Sequence, residues 1–151
     1  MAKEKKFIAK LGQVDYTNVR YSPVINCVLR HNGKILLVKR SEGMRLYPGY
    51  WNGISGFLDD DRTIEDKVKD ELQEELGLTN KDIVSVTRGV FFETEDESCN
   101  KVWIVHPVLV DVSTGAVTLD WEAEKYQWIE LSKITTLKLL SGFEKVLKSL
   151  L

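Results

Sequence analysis

The segment from Thr63 to Gly77 constrains the fold most strongly, because its spacing is that of a capped, amphipathic helix. Its apolar residues recur at four-residue intervals and form a single stripe at about 100° per residue. They are Ile64, Val68, Leu72 and Leu76. Thr63 can cap the first turn, and Gly77 follows the last turn as a typical C-terminal cap. The pattern therefore predicts a helix from Thr63 to Leu76 that buries one face against a core.

Three glutamates lie beside this apolar stripe. At helical spacing Glu71, Glu74 and Glu75 share one sector at the edge of the core. The like-charge pair Glu71 and Glu75 costs roughly a few tenths of a kcal/mol, and Glu75 lies near the helix C-terminus, where the dipole disfavours anions. A bound cation reverses both effects, and carboxylate oxygens are preferred ligands of Mg²⁺ and Mn²⁺. The helix alone leaves two interpretations open, a divalent-metal site and a solvated acidic face.

Most of the remaining chain has β-rich patterning. Two β-rich runs around the Asn32-Gly33 dipeptide predict a hairpin of Val24–Arg30 and Lys34–Lys39. The other predicted strands are a short run at Trp51–Ile54, a second hairpin of Asp82–Thr94 with Lys101–Val112, and a last strand at Tyr126–Leu131. Helical spacing predicts a terminal helix within Ile134–Leu151. We therefore expect an α+β or mixed α/β sandwich with one central and one terminal helix.

Composition sets limits on the class of protein. Of 151 residues, 43% are hydrophobic and 29% are charged, so we expect one soluble globular domain over residues 1–151. No apolar run approaches the ~20 residues that span a bilayer, and we expect no integral membrane segment. The net charge of −2 is too balanced to indicate a nucleic-acid groove or an anionic membrane partner. The stretch from Asp59 to Glu75 nevertheless concentrates nine acidic against three basic residues.

Cysteine usage and the N-terminus favour a cytoplasmic protein. The two cysteines, Cys27 and Cys99, make neither a disulfide framework nor a ligand cluster. The N-terminal residues lack the hydrophobic region of a secretory signal. We expect Cys27 to be buried and inert among alternating apolar residues. His31 and His106 are isolated from each other in the sequence, and we expect ordinary structural roles for both.

The residues around the helix resemble the Nudix box of the Nudix hydrolases. The family pattern is Gly, five residues, Glu, seven residues, then Arg-Glu-aliphatic-any-Glu-Glu-any-Gly-aliphatic. This chain keeps that spacing without insertion, and the matching residues are Gly56, Glu71, Leu72, Glu74, Glu75, Gly77 and Leu78. Similar flanking features extend the resemblance over residues 22–132. The resemblance implies a Nudix fold, in which a mixed β-sheet is sandwiched between helices.

The same resemblance implies an activity and its cofactor. It implies hydrolysis of a diphosphate bond, by attack of water at phosphorus, in a nucleoside diphosphate linked to another moiety. Mg²⁺, or Mn²⁺ in its place, would be held by Glu71, Glu74 and Glu75 with a backbone carbonyl near Ser55 or Gly56. One glutamate would take the proton from water; the matching candidates are Glu71, Glu75 and, in a later loop, Glu122. Dimers are common in the family, so a homodimer is one possible assembly, but the sequence itself does not indicate an oligomeric state.

Two further residues are candidates for substrate binding. Arg40 ends the β-rich run from Lys34 to Arg40 and could clamp phosphate oxygens in bidentate fashion, or be a solvated charge at a strand end. Trp51 could stack on a base, as could Tyr47, Tyr50 and Trp121, although aromatic residues in a small domain also fill cores and rims.

Two residues depart from the family pattern. Arg62 stands where the family has Glu, and Asp70 stands where it has Arg. A swapped Arg62–Asp70 ion pair could brace the loop against the helix with opposite polarity, or Asp70 could disturb Glu71. An alternative function is therefore a catalytically impaired domain that binds nucleotides or acts as a regulatory module. The isopentenyl-diphosphate isomerases share this fold, but their chemistry needs an active-site Cys and a His-rich metal site, for which this chain offers no matching context.

Overall fold

The computed structural model describes residues 7–151. The described chain forms an eight-stranded sheet and two α-helices. The strands are β1 Tyr21–His31, β2 Lys34–Arg40, β3 Trp51–Asn52, β4 Ile54–Phe57, β5 Ile83–Arg88, β6 Phe92–Asp96, β7 Lys101–Val112 and β8 Ala123–Ile129. The helices are α1 Ile64–Leu76 and α2 Phe143–Leu150, and short 3₁₀ turns occur at Asn80–Asp82, Glu97–Cys99 and Leu131–Thr136. Within residues 7–151, neither helix has the length and apolar composition needed to cross a membrane.

The sheet is mixed because β1 pairs differently with its two neighbours. The predicted hairpin is confirmed: β1 and β2 are antiparallel, and Asn32 and Gly33 both adopt positive φ, at 51° and 74°. On its other side β1 runs parallel to β7, from Tyr21 opposite Val102 to Arg30 opposite Asp111. The expected mixed sheet is therefore confirmed.

Alternation along β1 sends its side chains to two different cores. Ile25, Cys27 and Leu29 are fully buried against the apolar stripe of α1. Val28, on the opposite face, is buried in the core that contains Phe143 and Val146 of α2. One helix therefore covers each face of the sheet, and Cys27 is buried as expected.

Helix α1 begins and ends as the sequence predicts. Thr63 Oγ1 accepts a hydrogen bond from the Asp66 amide at 3.1 Å, which satisfies one of the free donors of the first turn. Gly77 adopts φ 68°, and its N–H donates to the Gln73 carbonyl at 3.0 Å. These caps fix the register of the helix and hence the side on which its glutamates lie.

The second hairpin differs from the prediction. The predicted strand Asp82–Thr94 divides into β5 and β6, which pair with successive parts of β7. The break lies at Gly89, where the amide donates to the Pro107 carbonyl at 2.8 Å. A Cβ on Gly89 would lie about 3.0 to 3.1 Å from Leu150, Pro107 and Ser149, so a side chain here would force its neighbours, two of them at the end of α2, to shift by a few tenths of an ångström.

The C-terminal elements also have different bounds. The last strand begins at Ala123 and ends at Ile129, rather than covering Tyr126–Leu131. The terminal helix is limited to Phe143–Leu150 because the preceding residues run extended beside Trp51. The Trp51 amide donates to the Lys138 carbonyl, and the Trp51 carbonyl accepts from the Leu140 amide, both at 2.8 Å. Helical periodicity does not reveal this non-local pairing.

Candidate active site

A cavity of about 380 Å³ lies between α1, the end of β2 and the loop that precedes β8. It brings together six of the seven main site candidates from the sequence, which are Arg40, Gly56, Glu71, Glu74, Glu75 and Glu122. Trp51, the seventh, does not line it. The four carboxylates come from two separate parts of the chain, so the fold concentrates negative charge in one concave site.

Glu71 is held against the backbone of β4. A Cβ on Gly56 would lie 2.7 Å from Glu71 Cδ and Oε1, so the carboxylate occupies the space that any other residue at 56 would fill. The Glu71 side chain is 14% exposed. Burial, together with the nearby charges of Glu74 and Glu122, raises the pKa of Glu71 to about 7, although Glu75 and Lys67 act in the opposite direction.

Glu75 lies between Glu71 and Glu122 and has an incomplete hydrogen-bond shell. Burial first, and then the charges of Glu122 and Glu71, raise the pKa of Glu75 well above its usual value. Its Oε2 is buried and has no hydrogen-bond donor among residues 7–151. A buried carboxylate oxygen without a donor is costly, and a proton or a cation would relieve that cost.

The donor chemistry fits a hard divalent cation. Oxygen ligands, mutual repulsion among the carboxylates and the unpartnered Glu75 oxygen all favour positive charge at this point. Within the described chain, no three His, Cys, Asp or Glu side chains already converge into a closed ligand cage. Glu74 is exposed at the cavity wall. The arrangement is therefore suited to an ion such as Mg²⁺, which keeps several waters and shares its shell with phosphate oxygens.

Arg40 connects the cavity to two loops. Its Nε donates to the Leu46 carbonyl at 2.9 Å, and its carbonyl accepts from Gly49 at 2.9 Å, so it braces the loop between β2 and β3. The next residue, Ser41, donates through its amide to the Glu122 carbonyl and through Oγ to the Trp121 carbonyl, both at 2.8 Å. These contacts place Glu122 beside the end of β2, opposite α1.

The prediction that Trp51 stacks on a substrate base is not supported by its position. Trp51 is 8% exposed and packs in the core on the α2 side of the sheet, with the Lys125 ammonium 5.9 Å from the ring centre. Its backbone pairing with residues 138 and 140 turns the ring inward. Two other aromatic candidates, Tyr47 and Trp121, do line the cavity.

Sequence reasoning missed several residues of the cavity wall. Asn26 and Asn52 are both buried, and Asn26 Nδ2 donates to Asn52 Oδ1 at 3.0 Å. Trp103 also lines the cavity, and its Nε1 donates to the Tyr47 hydroxyl at 3.0 Å. One signal was available: Asn26 interrupts an otherwise apolar strand, which marks a polar group that needs a partner.

The two departures from the family pattern lie outside this cavity. Arg62 Nη1 contacts the Asp70 carboxylate, so the swapped ion pair forms. Arg62 Nη2 also binds Asp60 Oδ2 at 2.8 Å. Arg62 and Asp70 line a second cavity that adjoins the first, and Glu71 and Glu74 line both.

The cysteines and histidines of the described chain do not line the cavity of the four glutamates. Cys27 is fully buried, and burial raises the pKa of its thiol. Cys99 lies 3.6 Å from the Tyr47 hydroxyl, in the turn between β6 and β7. His31 Nδ1 is 3.0 Å from the Val112 carbonyl, and His106 stacks on Phe91. None of these four residues lines the cavity, so the described chain provides no thiol or imidazole for chemistry there.

Sequence comparisons find similarity to known proteins over most of the chain. The family model of the NUDIX domain matches residues 20–150. The chain is 30% identical over 114 residues to the isopentenyl-diphosphate Δ-isomerase of Corynebacterium glutamicum (strain R), a match that covers 71% of this chain and 60% of the isomerase. It is 23% identical over 128 residues to the nucleoside triphosphatase NudI of Enterobacter sp. (strain 638), covering 80% of this chain and 90% of that protein.

The fold is likewise similar to solved structures. The crystal structure of a MutT NUDIX hydrolase from Burkholderia pseudomallei superposes with a TM-score of 0.75 at 20% identity. The superposition covers 87% of this chain and 99% of that chain. At this identity the likeness concerns the fold.

Proposed function

This chain belongs to the Nudix family, and we propose that it is a Nudix-type pyrophosphohydrolase that hydrolyses, with Mg²⁺, a diphosphate bond in a nucleoside diphosphate linked to another moiety. The observation that carries the proposal is the meeting of Glu71, Glu74, Glu75 and Glu122 in one cavity with Arg40. The relative named as a nucleoside triphosphatase supports a nucleotide substrate.

We assign the metal-holding role to Glu71, Glu74 and Glu75, with a backbone carbonyl near Gly56. Their oxygens fit Mg²⁺, and the unpartnered Glu75 Oε2 gains a partner when a cation binds. When bound, such an ion lowers the pKa of coordinated water and neutralises charge on phosphate oxygens. Gly56 keeps Glu71 in place because its missing Cβ leaves room for the carboxylate.

The remaining residues bind substrate and move a proton in this proposal. Arg40 lies at the cavity wall between the two loops that it braces, where a guanidinium can bind phosphate oxygens. Glu122 faces Glu75 from the loop opposite α1, so the water proton has three acceptors within the site, Glu71, Glu75 and Glu122. The acceptor is identified by the variant whose pH–rate profile loses its acidic limb.

A substrate panel with matched variants tests the proposal. Phosphate release is measured with Mg²⁺ and nucleoside triphosphates, dinucleoside polyphosphates, ADP-ribose or sugar nucleotides. We expect Glu75→Gln and Glu74→Gln each to lower the rate at least about tenfold, because each removes a charge from the metal site. Glu65→Gln is the control, since Glu65 lies on the same helix but pairs with Arg88 outside the cavity. Unchanged rates in both cavity variants would exclude the assigned site.

The second candidate function is a nucleotide-binding or regulatory domain without turnover. It is favoured by the two departures at Arg62 and Asp70. Neither residue lines the cavity of the four glutamates, but both line the adjoining cavity, whose wall includes Glu71 and Glu74. Binding of several panel nucleotides without release of phosphate from any of them would decide for the regulatory function.

A further inference from the structure

A buried lysine lies inside the acidic region of α1. Lys67 Nζ is 3.0 Å from Asp59 Oδ1, and these two side chains are only 7% and 9% exposed. The same ammonium is 3.7 Å from Glu71 Oε1, one helical turn further along. Lys67 and Asp59 both line the cavity of the four glutamates. The chain therefore supplies a cation of its own beside the first of the proposed metal-holding carboxylates.

Asp59 is fixed from a direction independent of α1. Its Oδ2 accepts from Gln13 Nε2 at 2.9 Å, and its carbonyl accepts from the Val14 amide at 2.7 Å. Asp59 thus remains in place whether or not Lys67 is present. Since the Asp59 contact is the shorter of the two, the ammonium is attracted somewhat more strongly to Asp59 than to Glu71, and the negative charge of Asp59 partly offsets the effect of Lys67 at the site.

We propose that Lys67 is a positioning residue that acts as a tethered counter-ion: its ammonium holds the Glu71 carboxylate in the cavity, and its charge limits how tightly the site binds a divalent metal. This inference rests on the proposed function because it takes Glu71 as a metal-holding residue. Asp59 sets the size of the effect, since it draws the ammonium away from Glu71.

A simple bracing role makes a different prediction. If the Lys67–Asp59 pair only anchored the loop before α1, either single substitution would break the same contact and weaken metal binding in the same direction. If Lys67 is a counter-ion, the two substitutions change the metal affinity in opposite directions. Lys67→Met removes a positive charge from the site, whereas Asp59→Asn leaves that charge to act on Glu71 alone.

The experiment is a Mn²⁺ titration followed by the electron paramagnetic resonance signal of the free ion, at fixed pH and ionic strength. We expect Lys67→Met to bind Mn²⁺ about tenfold more tightly, and Asp59→Asn about tenfold more weakly, than the wild type. Lys69→Met is the control, because it removes the same charge from an exposed position on the same helix. We expect it to change the affinity less than about twofold.

The double variant, which carries both Lys67→Met and Asp59→Asn, keeps the test decisive if Lys67→Met alone does not fold. It removes the buried pair without leaving either charge unpaired, which is the better tolerated change. If Lys67 is a counter-ion, adding Lys67→Met to Asp59→Asn should tighten Mn²⁺ binding about tenfold. If the pair only anchors the loop, Asp59→Asn has already broken it, and adding Lys67→Met should not change Mn²⁺ binding. Equal-sign shifts in the single variants, or no tightening in the double variant, overturn the inference. Absence of Mn²⁺ binding by the wild type overturns the metal assignment itself, and the inference with it.

Discussion

The contacts of Arg62 predict that reversing its pairing with Asp70 restores only part of the lost stability. The perturbation is the single variants Arg62→Glu and Asp70→Arg and the double variant that carries both. In the structure Arg62 contacts Asp70 but also donates from Nε to both oxygens of Asp60, at 3.1 and 3.0 Å. The double variant rebuilds the pair with residue 70, yet it places a carboxylate at position 62 beside Asp60.

The size of these effects follows from solvent exposure. The Arg62 and Asp70 side chains are 39% and 43% exposed, so their pairing is worth about 0.2 to 1 kcal/mol. Asp60 is less exposed, at 21%, and hydrogen bonding to Arg62 lowers the pKa of Asp60. The new repulsion between Glu at 62 and Asp60 should offset the restored pair by a similar amount. We therefore expect the double variant to remain about 0.5 to 1 kcal/mol less stable than the wild type.

Urea unfolding at low and high ionic strength provides the assay. In an Asp60→Asn background the repulsion is absent, and the double swap should then recover the stability of that background to within about 0.3 kcal/mol. The interaction of residue 62 with residue 70 and that of residue 62 with Asp60 should both weaken in high salt, because the groups are solvent-exposed. A coupling above about 2 kcal/mol that salt does not change would refute the reasoning, since it would require a buried pair.

Three further predictions concern the glutamates and the core. In the metal-free protein the Glu71 pKa of about 7 lies above its usual 4.5, so protonation stabilises the fold; this contribution is complete below pH 4.5 and is lost as the pH rises through 7. This contribution is roughly 3 kcal/mol of unfolding free energy, which urea unfolding in the presence of a chelator measures as a function of pH. Glu71→Gln should remove that part of the pH dependence. If the slope of unfolding free energy against pH is the same in Glu71→Gln as in the wild type, the assignment is contradicted. Gly56→Ala should push the Glu71 carboxylate out of place, because the new Cβ would lie 2.7 Å from its oxygen. We expect Mn²⁺ affinity to fall at least about tenfold in the Mn²⁺ titration described above. An affinity equal to that of the wild type would count against the packing described. Leu72→Ala, at a fully buried position of α1, should cost about 2 to 5 kcal/mol of unfolding free energy, whereas Leu131→Ala, 47% exposed, should cost less than about 0.5.

Local sequence patterns were sufficient for the elements whose determinants are close together. The caps Thr63 and Gly77 and the four-residue apolar spacing specify α1, and the Asn32-Gly33 dipeptide specifies the turn of the first hairpin. Because a helix has a fixed period, the grouping of Glu71 with Glu75 also follows from the sequence. These features depend on neighbours within one or two turns.

Features that depend on distant segments could not be predicted in the same way. Trp51 is buried because residues 138 and 140 pair with its backbone, and no local pattern specifies that pairing. The division of the second hairpin at Gly89 depends on how close α2 approaches. The ion pair of Lys67 with Asp59 depends on the path of the loop between β4 and α1, which the N-terminal segment fixes through Gln13. Charge counts alone assigned Lys67 no role.

The hydrogen bonds from Gln13 and Val14 to Asp59 have a practical consequence for work with N-terminally shortened forms of this protein. A shortened chain that starts at residue 20 retains everything that the family model matches, yet it gives up both hydrogen bonds that keep Asp59 in position. Such a minimal domain also loses the Tyr16 and Val19 carbonyls that accept from the buried Lys101 ammonium, and its metal affinity would no longer represent that of the full chain.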